Sequence, residues 1–237
     1  MRSLFADYKI EIKNRFERII RQCANYGAEF DVPDLVIQMA DGDFAFEHSV
    51  ADGKYSDAYI ETIGVYRKLA EWLPKNNAFL LHSVAVDVGG VGVAFAAHSG
   101  TGKTTHMRLW KEYLGDKMVI VNGDKPIVRF FGDEPETPYA YGTPWNGKEH
   151  LGCNMRTPMK HICFIERAEE NSCEPMESGE AIDLIFNQVY MPKDPLAVLA
   201  TMQLINRFIN SCTLWKIKCN MDISAAEVAY KTIFPEG

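Results

Sequence analysis

Alternation opens the chain. In "YKIEIK" (8–13) Tyr8, Ile10 and Ile12 fall on one face and charged residues on the other, the period-two pattern of a half-buried strand. The run "NRFERIIRQCANYG" (14–27) switches to a helical pattern and stops at a glycine. "PDLVIQM" (33–39) predicts another strand, and the acidic, turn-rich residues 41–57 predict a loop. Over 57–73 the apolar positions Ile60, Ile63, Leu69, Trp72 and Leu73 make one stripe of a helix, which Pro74 ends.

The longest apolar stretches come next, around Phe79–Val88 and Val91–Ala97, broken by His82, Asp87 and glycines. "LLHSVAVDV" (80–88) and "VGVAF" (91–95) flank Gly89-Gly90, a tight-turn signal that joins two strands as a hairpin. The second strand runs directly into "AHSGTGKTT" (97–105). A helix follows over "THMRLWKEYLG" (105–115), with Met107, Trp110 and Leu114 on one side and Gly115 as its stop. "KMVIVNGDKPIVRF" (117–130) reads as one buried strand ending in an acidic loop. In the tail, "MKHICFIER" (159–167) and "TLWKIKC" (213–219) read as strands. Between them lies a helix over 194–211 with Asp194 as N-cap and Pro195 at its first position. A last helix begins with a capping box from Ser224 to Glu227.

Strands and helices in this order indicate an α/β fold with a mixed sheet and flanking helices. At 237 residues the chain is long enough for a full core and fits one domain. We divide it into an N-terminal α/β extension (1–78) and a core (79–237). The formal net charge of −7 gives no cationic excess to neutralise a nucleic-acid backbone. The apolar stretches are interrupted well short of a membrane span, and the first residues lack the apolar core of a signal peptide, so a cytoplasmic protein is expected. Six cysteines without a C-x-x-C pair and histidines without metal-ligand spacing predict reduced thiols and no zinc site.

The chemistry concentrates in residues 97–105. A phosphate-binding loop needs backbone N–H groups converging on one point, a helix N-terminus behind them and no obstructing side chains. Ser99, Gly100, Thr101, Gly102, Lys103, Thr104 and Thr105 meet that need: the glycines allow close approach, Lys103 suits β- and γ-phosphates, and Thr104 offers a hydroxyl to Mg²⁺. The general pattern G-x-x-x-x-G-K-[ST] has glycine where this chain has Ala97, a position that carries no ligand. A Mg²⁺ ion also needs a carboxylate, which Asp124 supplies after the apolar run "MVIVNG".

These segments resemble a known family. "LLHSVAVDVGGVGVAFAAHSGTGKTT" is similar to the start of the kinase domain of HPr kinase/phosphorylase, and "SGTGKTT" is also the loop of ATP-dependent phosphoenolpyruvate carboxykinases. Thr105-His106, Leu109-Trp110, "NGDKP" (122–126), "YGTPWNGK" (141–148) and "ICFIERAEEN" (162–171) resemble short bacterial HPr kinase-like proteins, so the likeness spans residues 80–171.

The resemblance implies a P-loop HPr kinase/carboxykinase-like fold and an ATP- and Mg²⁺-dependent kinase acting on a hydroxyl acceptor. That acceptor is a serine of a protein or peptide, or a small molecule, and the subunit number, homo-oligomers included, stays open. The resemblance places phosphate ligands on Ser99 to Thr105 and metal ligands on Thr104 and Asp124. His82 falls near the chemistry, Lys148 near the transferring phosphoryl group, and Arg156 at the γ-phosphate. The chain departs from the family at Gly123, where the first of two paired aspartates is expected. Asp124 then serves both roles, or His82 or Glu149 takes the proton, or the chain is a nucleotide-binding regulatory module with weak or no turnover. Restoring an acid with Gly123→Asp is expected to separate enzyme from module. A full carboxykinase is the least favoured reading, because such enzymes are much longer and carry an added substrate domain.

Overall fold

The computed structural model describes residues 1–98, 100–132 and 137–235. Strands β1 (Arg2–Phe5), β2 (Tyr8–Lys13) and β3 (Leu35–Gln38) form a three-stranded sheet, with α1 (Glu17–Gln22) between β2 and β3. Helices α2 (Asp41–Val50) and α3 (Asp57–Trp72) follow. Then come β4 (Ala78–Leu80), β5 (Val84–Val88), β6 (Val91–Ala96), α4 (Lys103–Leu114), β7 (Met118–Asn122), β8 (Ile127–Arg129) and β9 (Tyr139–Tyr141). The chain ends with β10 (Arg156–Arg167), β11 (Ser172–Pro175), α5 (Ser178–Phe186), α6 (Pro195–Ser211), β12 (Thr213–Cys219) and α7 (Ser224–Ile233).

The second sheet has the order β4-β8-β9-β10-β6-β5-β7, with β12 joining β10 and β11 joining β12. It is mixed: β10 runs parallel to both β6 and β12, while β5 is antiparallel to both β6 and β7. Since β6 and β7 each oppose β5, they point the same way. The C-terminal ends of β6, β7 and β10 therefore meet at one end of the sheet, and that end carries the candidate site.

Alternation along β6 divides the core. Val93 and Phe95 pack with Met107 and Trp110 of α4 and Ala226 and Ala229 of α7. Ala94 and Ala96 face the other side, with Ile185 of α5 and Leu204 and Phe208 of α6. The result is a sheet covered on both faces, and burying each large apolar side chain contributes about 1.5–3 kcal/mol. A third cluster joins Phe5, Ile10 and Ile12 of the small sheet to Leu69 of α3, Ile127 of β8 and Tyr141 of β9. The N-terminal segment thus packs directly on the larger sheet. No described helix is long and apolar enough to cross a membrane, and all six cysteines are free thiols.

Several elements depart from the sequence expectations. Residues 41–50 of the expected loop form α2, because Asp43 accepts from the Ala40 amide at 2.9 Å and the helix buries Phe44 and Glu47. Arg67 and Lys68 of α3 neutralise Asp43 at 3.1 and 2.9 Å, so an acidic segment that looked solvated is tied down. The helix expected over 14–27 is regular only across α1. The single strand expected over 117–130 is two, β7 and β8, and the run 80–88 breaks at 81–83 between β4 and β5. The capping box of α7 is also absent. Ile223 is its N-cap, while the Ser224 hydroxyl accepts from Asn171 at 3.0 Å. Asp194 does cap α6, accepting from the Leu196 amide at 3.2 Å.

Candidate functional site

Strand β6 delivers the chain to Ala97 at the sheet end, and α4 starts six residues later. Gly100 (φ 79°) and Gly102 (φ 126°) occupy the left-handed region, where a side chain would be strained. The space beside each is open, with no atom within 4 Å of an added Cβ. Ala97 is not among the residues of positive φ, and it is buried in the cluster beneath α4. Its methyl group is therefore accommodated, and glycine is not needed there. Ser99 lies outside the described residues.

At the N-terminus of α4 the first intrahelical bond runs from the His106 amide to the Gly102 carbonyl at 2.9 Å. The amides of Lys103, Thr104 and Thr105 thus have no intrahelical acceptor and carry the positive end of the helix dipole. The Lys103 ammonium donates to the Ala97 carbonyl at 2.9 Å. Burial lowers its pKa, the Asp124 charge opposes that shift, and Lys125 adds to it. From the end of β10, Arg167 donates through Nε to the Thr101 carbonyl at 2.9 Å and through a terminal nitrogen to the Gly100 carbonyl.

The acid comes from β7. Asn122, fully buried, ends that strand, and its side-chain oxygen accepts from the Asp124 and Lys125 amides at 2.9 and 2.7 Å. Its nitrogen donates to the Thr143 carbonyl and hydroxyl at 3.2 and 3.0 Å, and that hydroxyl donates to the Lys125 carbonyl at 2.8 Å. One buried amide thereby shapes the turn that presents Asp124. His82 Nε2 lies 3.2 Å and Lys125 Nζ 3.8 Å from the same oxygen, Oδ1 of Asp124. Burial would raise the Asp124 pKa, but the His82 hydrogen bond and the charges of Lys125, His82 and Lys103 outweigh it and hold the group below its ordinary value. The carboxylate is ionised at neutral pH.

His82 sits in the break between β4 and β5 rather than within a strand. Its amide donates to the Gln188 carbonyl at 2.6 Å. With its nitrogen turned inward, the buried Gln188 side chain donates to the carbonyls of both His82 and Ala97 at 3.1 Å. Gln188 thus ties the His82 segment to the start of the loop.

The structure accounts for Gly123. Its amide donates to the Leu151 carbonyl at 2.8 Å, and an added Cβ would lie 2.9 Å from the Asn146 carbonyl oxygen and 3.0 Å from that of Leu151. Gly147, at φ 84°, brings the same segment over Asp124, where a Cβ would sit 3.2 Å from Asp124 Cβ. Backbone of residues 146–151 therefore fills the place a second acid would need. Restoring an aspartate at position 123 demands a backbone shift, so that substitution does not separate enzyme from module as the sequence suggested.

Lys148 is exposed on this covering segment, next to Gly147, and the neighbouring Glu149 pairs with Arg108 of α4 at 2.6 Å. Arg156 is not brought to the loop. It begins the twelve-residue β10 that Arg167 ends. Its guanidinium bonds to Asp7 at 3.2 Å and to the Tyr141 hydroxyl at 2.9 Å, and it stacks over Tyr139. The arginine that does reach the loop, Arg167, lies in the segment "ICFIERAEEN" but was given no role there, since only strand pairing reveals its position. Asn122, Thr143 and Gln188 were likewise missed. Asn122 directly precedes Gly123-Asp124, and a polar residue closing a buried apolar strand was the available signal.

Among the described residues no three acidic, histidine or cysteine side chains cluster to hold a metal. The arrangement instead fits a cation shared with phosphate oxygens, the usual mode for Mg²⁺. Both side-chain contacts of Asp124 described above fall on Oδ1 rather than Oδ2, and Thr104 is the second residue of α4.

No protein-family model matches the chain, and no curated protein matches it. Among solved structures it is similar to the Hpr(Ser) kinase/phosphatase from Coxiella burnetii, at 10% identity over 54% of this chain and 88% of that chain, with a TM-score of 0.28. A likeness at that level carries no weight for function, which rests on the residues above.

Proposed function

We propose that the protein is an ATP- and Mg²⁺-dependent phosphotransferase that moves the γ-phosphoryl group to a hydroxyl of a protein, a peptide or a small molecule. One observation carries this reading. The parallel strands β6 and β7 bring a glycine-shaped helix N-terminus and an ionised carboxylate to the same end of the sheet, with Lys103 and Asp124 in each other's field.

In this reading the amides of Gly102 to Thr105 and the Lys103 ammonium bind and orient the phosphates. Fixed dipoles and charges supply most of the rate in phosphoryl transfer, where the bond changes need little covalent help. Thr104 and Oδ2 of Asp124 would hold Mg²⁺, which when bound neutralises charge on the phosphate oxygens. His82 takes the acceptor proton. The tautomer that donates from Nε2 to Asp124 leaves Nδ1 free to accept, so Asp124 need not serve both metal and proton. Lys148, exposed beside Gly147, would reach toward a transferring group or an acceptor.

Asp124→Asn tests the division of labour. It should weaken Mg·ATP binding about tenfold or more while leaving metal-free ATP binding unchanged or stronger, because a carboxylate repels phosphates when no cation lies between them. Equal affinity for Mg·ATP in wild type and variant, with turnover also unchanged, would reject Asp124 as metal ligand. The second reading, a nucleotide-binding module without turnover, draws on the single carboxylate. It predicts tight Mg·ATP binding with no ADP formed in the presence of any hydroxyl acceptor.

A further inference from the structure

We infer that Arg167 is a positioning residue for the phosphate loop, an assignment that rests on the nucleotide-binding reading above. Two consecutive carbonyls, those of Gly100 and Thr101, accept from one guanidinium. A peptide unit is planar and trans, so holding each carbonyl toward Arg167 turns the N–H of the following residue, Thr101 or Gly102, to the opposite side. The Thr101 amide is used within the loop, donating to the His98 carbonyl at 3.1 Å. The Gly102 amide, on the far side of the peptide plane from the Thr101 carbonyl, points away from Arg167. Arg167 thereby fixes the two peptide planes on which the convergence of the loop amides depends.

The loop needs such a clamp because of its composition. Gly100 and Gly102 have the widest conformational freedom of any residue type, and an added Cβ at either would touch nothing. Among the described residues, nothing outside each glycine's own chain neighbours packs where a Cβ would sit. Anion binding to an unclamped loop would have to order it first, at the expense of affinity. Arg167 is suited to this work by its planar fork, which addresses two acceptors at once, whereas a lysine ammonium offers a point charge. Its position at the end of β10 is itself rigid. The register Phe164↔Ala96 locks β10 to β6, so loop and clamp are attached to adjacent, paired strands.

Three variants, Arg167→Ala, Arg167→Lys and Arg167→Gln, distinguish positioning from direct attraction of phosphate. Mg·ATP and inorganic pyrophosphate are titrated by calorimetry against each folded variant, and amide hydrogen exchange of residues 100–105 is followed without ligand. Positioning by the fork predicts about a tenfold loss of affinity in all three variants, lysine included, together with faster exchange at Gly102. Near-wild-type affinity in Arg167→Lys with losses in Ala and Gln would overturn the inference in favour of a simple charge effect. Unchanged affinity and exchange in all three would overturn it outright while leaving the nucleotide-binding reading standing. Failure of the wild-type protein to bind Mg·ATP or pyrophosphate would reject both.

Discussion

A β-carbon at position 123 should damage the protein rather than repair it. In Gly123→Ala the new methyl would lie 2.9 Å from the Asn146 carbonyl oxygen and 3.0 Å from the Leu151 oxygen, and neither is the end of a flexible side chain. Forcing atoms into a packed site costs about 1–3 kcal/mol. In a chain of this size each kcal/mol lowers Tm by roughly 2–4 °C, so Gly123→Ala should melt about 2–12 °C below wild type. Gly123→Asp should fall at least as far, since it adds a carboxylate beside two carbonyl oxygens and endangers the amide bond from residue 123 to Leu151. The displaced segment also carries Gly147, which covers Asp124, so ATP turnover should stay level or drop. Thermal melts by circular dichroism and a coupled ADP assay on the same preparations decide the matter. A Gly123→Asp protein as stable as wild type and faster at ATP turnover would refute the packing argument and show that room for a second acid exists.

Arg156→Ala should leave Mg·ATP affinity unchanged by calorimetry while lowering stability by about 0.5–1 kcal/mol in urea, because it loses exposed contacts to Asp7 and Tyr141 far from the loop. Asp43→Asn should cost about 1–2 kcal/mol at neutral pH through the lost pairing with Arg67 and Lys68. Burial alone would raise the Asp43 pKa, but the Ala40 amide, Lys68 and Arg67 lower it. Its contribution is thus fully present above the ordinary carboxylate pKa and lost as pH falls below it, so wild-type and variant stabilities should converge in acid when followed by urea unfolding against pH. Asn122→Ala should lower both stability, by about 2 kcal/mol or more, and Mg·ATP affinity, since the buried amide builds the turn that presents Asp124; normal affinity in a folded variant would show that the turn forms without it.

Much of the fold could be read from local pattern, and the limits are instructive. Alternation located β2, the Gly89-Gly90 pair located the β5–β6 hairpin, and Asp194-Pro195 located the start of α6, because each signal acts within a few residues. The loop glycines were legible for the same reason, as their positive φ is a local demand. What stayed hidden depended on partners distant in sequence. The break at 81–83 falls at His82-Ser83, two polar residues that do not by themselves end a strand, and the pairing of β4 with β8 and β5 with β6 exposes it. Helix α2 lay inside an acidic stretch whose Asp43 and Glu47 are answered by Arg67 and Lys68, far along the chain on α3. The exchange of Arg156 for Arg167 is the same lesson at the site: one strand carries both, and only the parallel pairing of β10 with β6 says which end meets the loop.

The central claim is that residues 100–105 bind nucleotide phosphates with Lys103 as their principal cation. Calorimetric titration of Mg·ATP into wild type and Lys103→Ala, each with its melting curve, tests it directly. Lys103 is half-buried and its ammonium bonds, among the described residues, to the Ala97 carbonyl alone, so its removal should leave Tm within a few degrees. The account predicts saturable binding by wild type and a loss of affinity of about tenfold or more in the variant. Equal affinity for Mg·ATP in two folded proteins would contradict it.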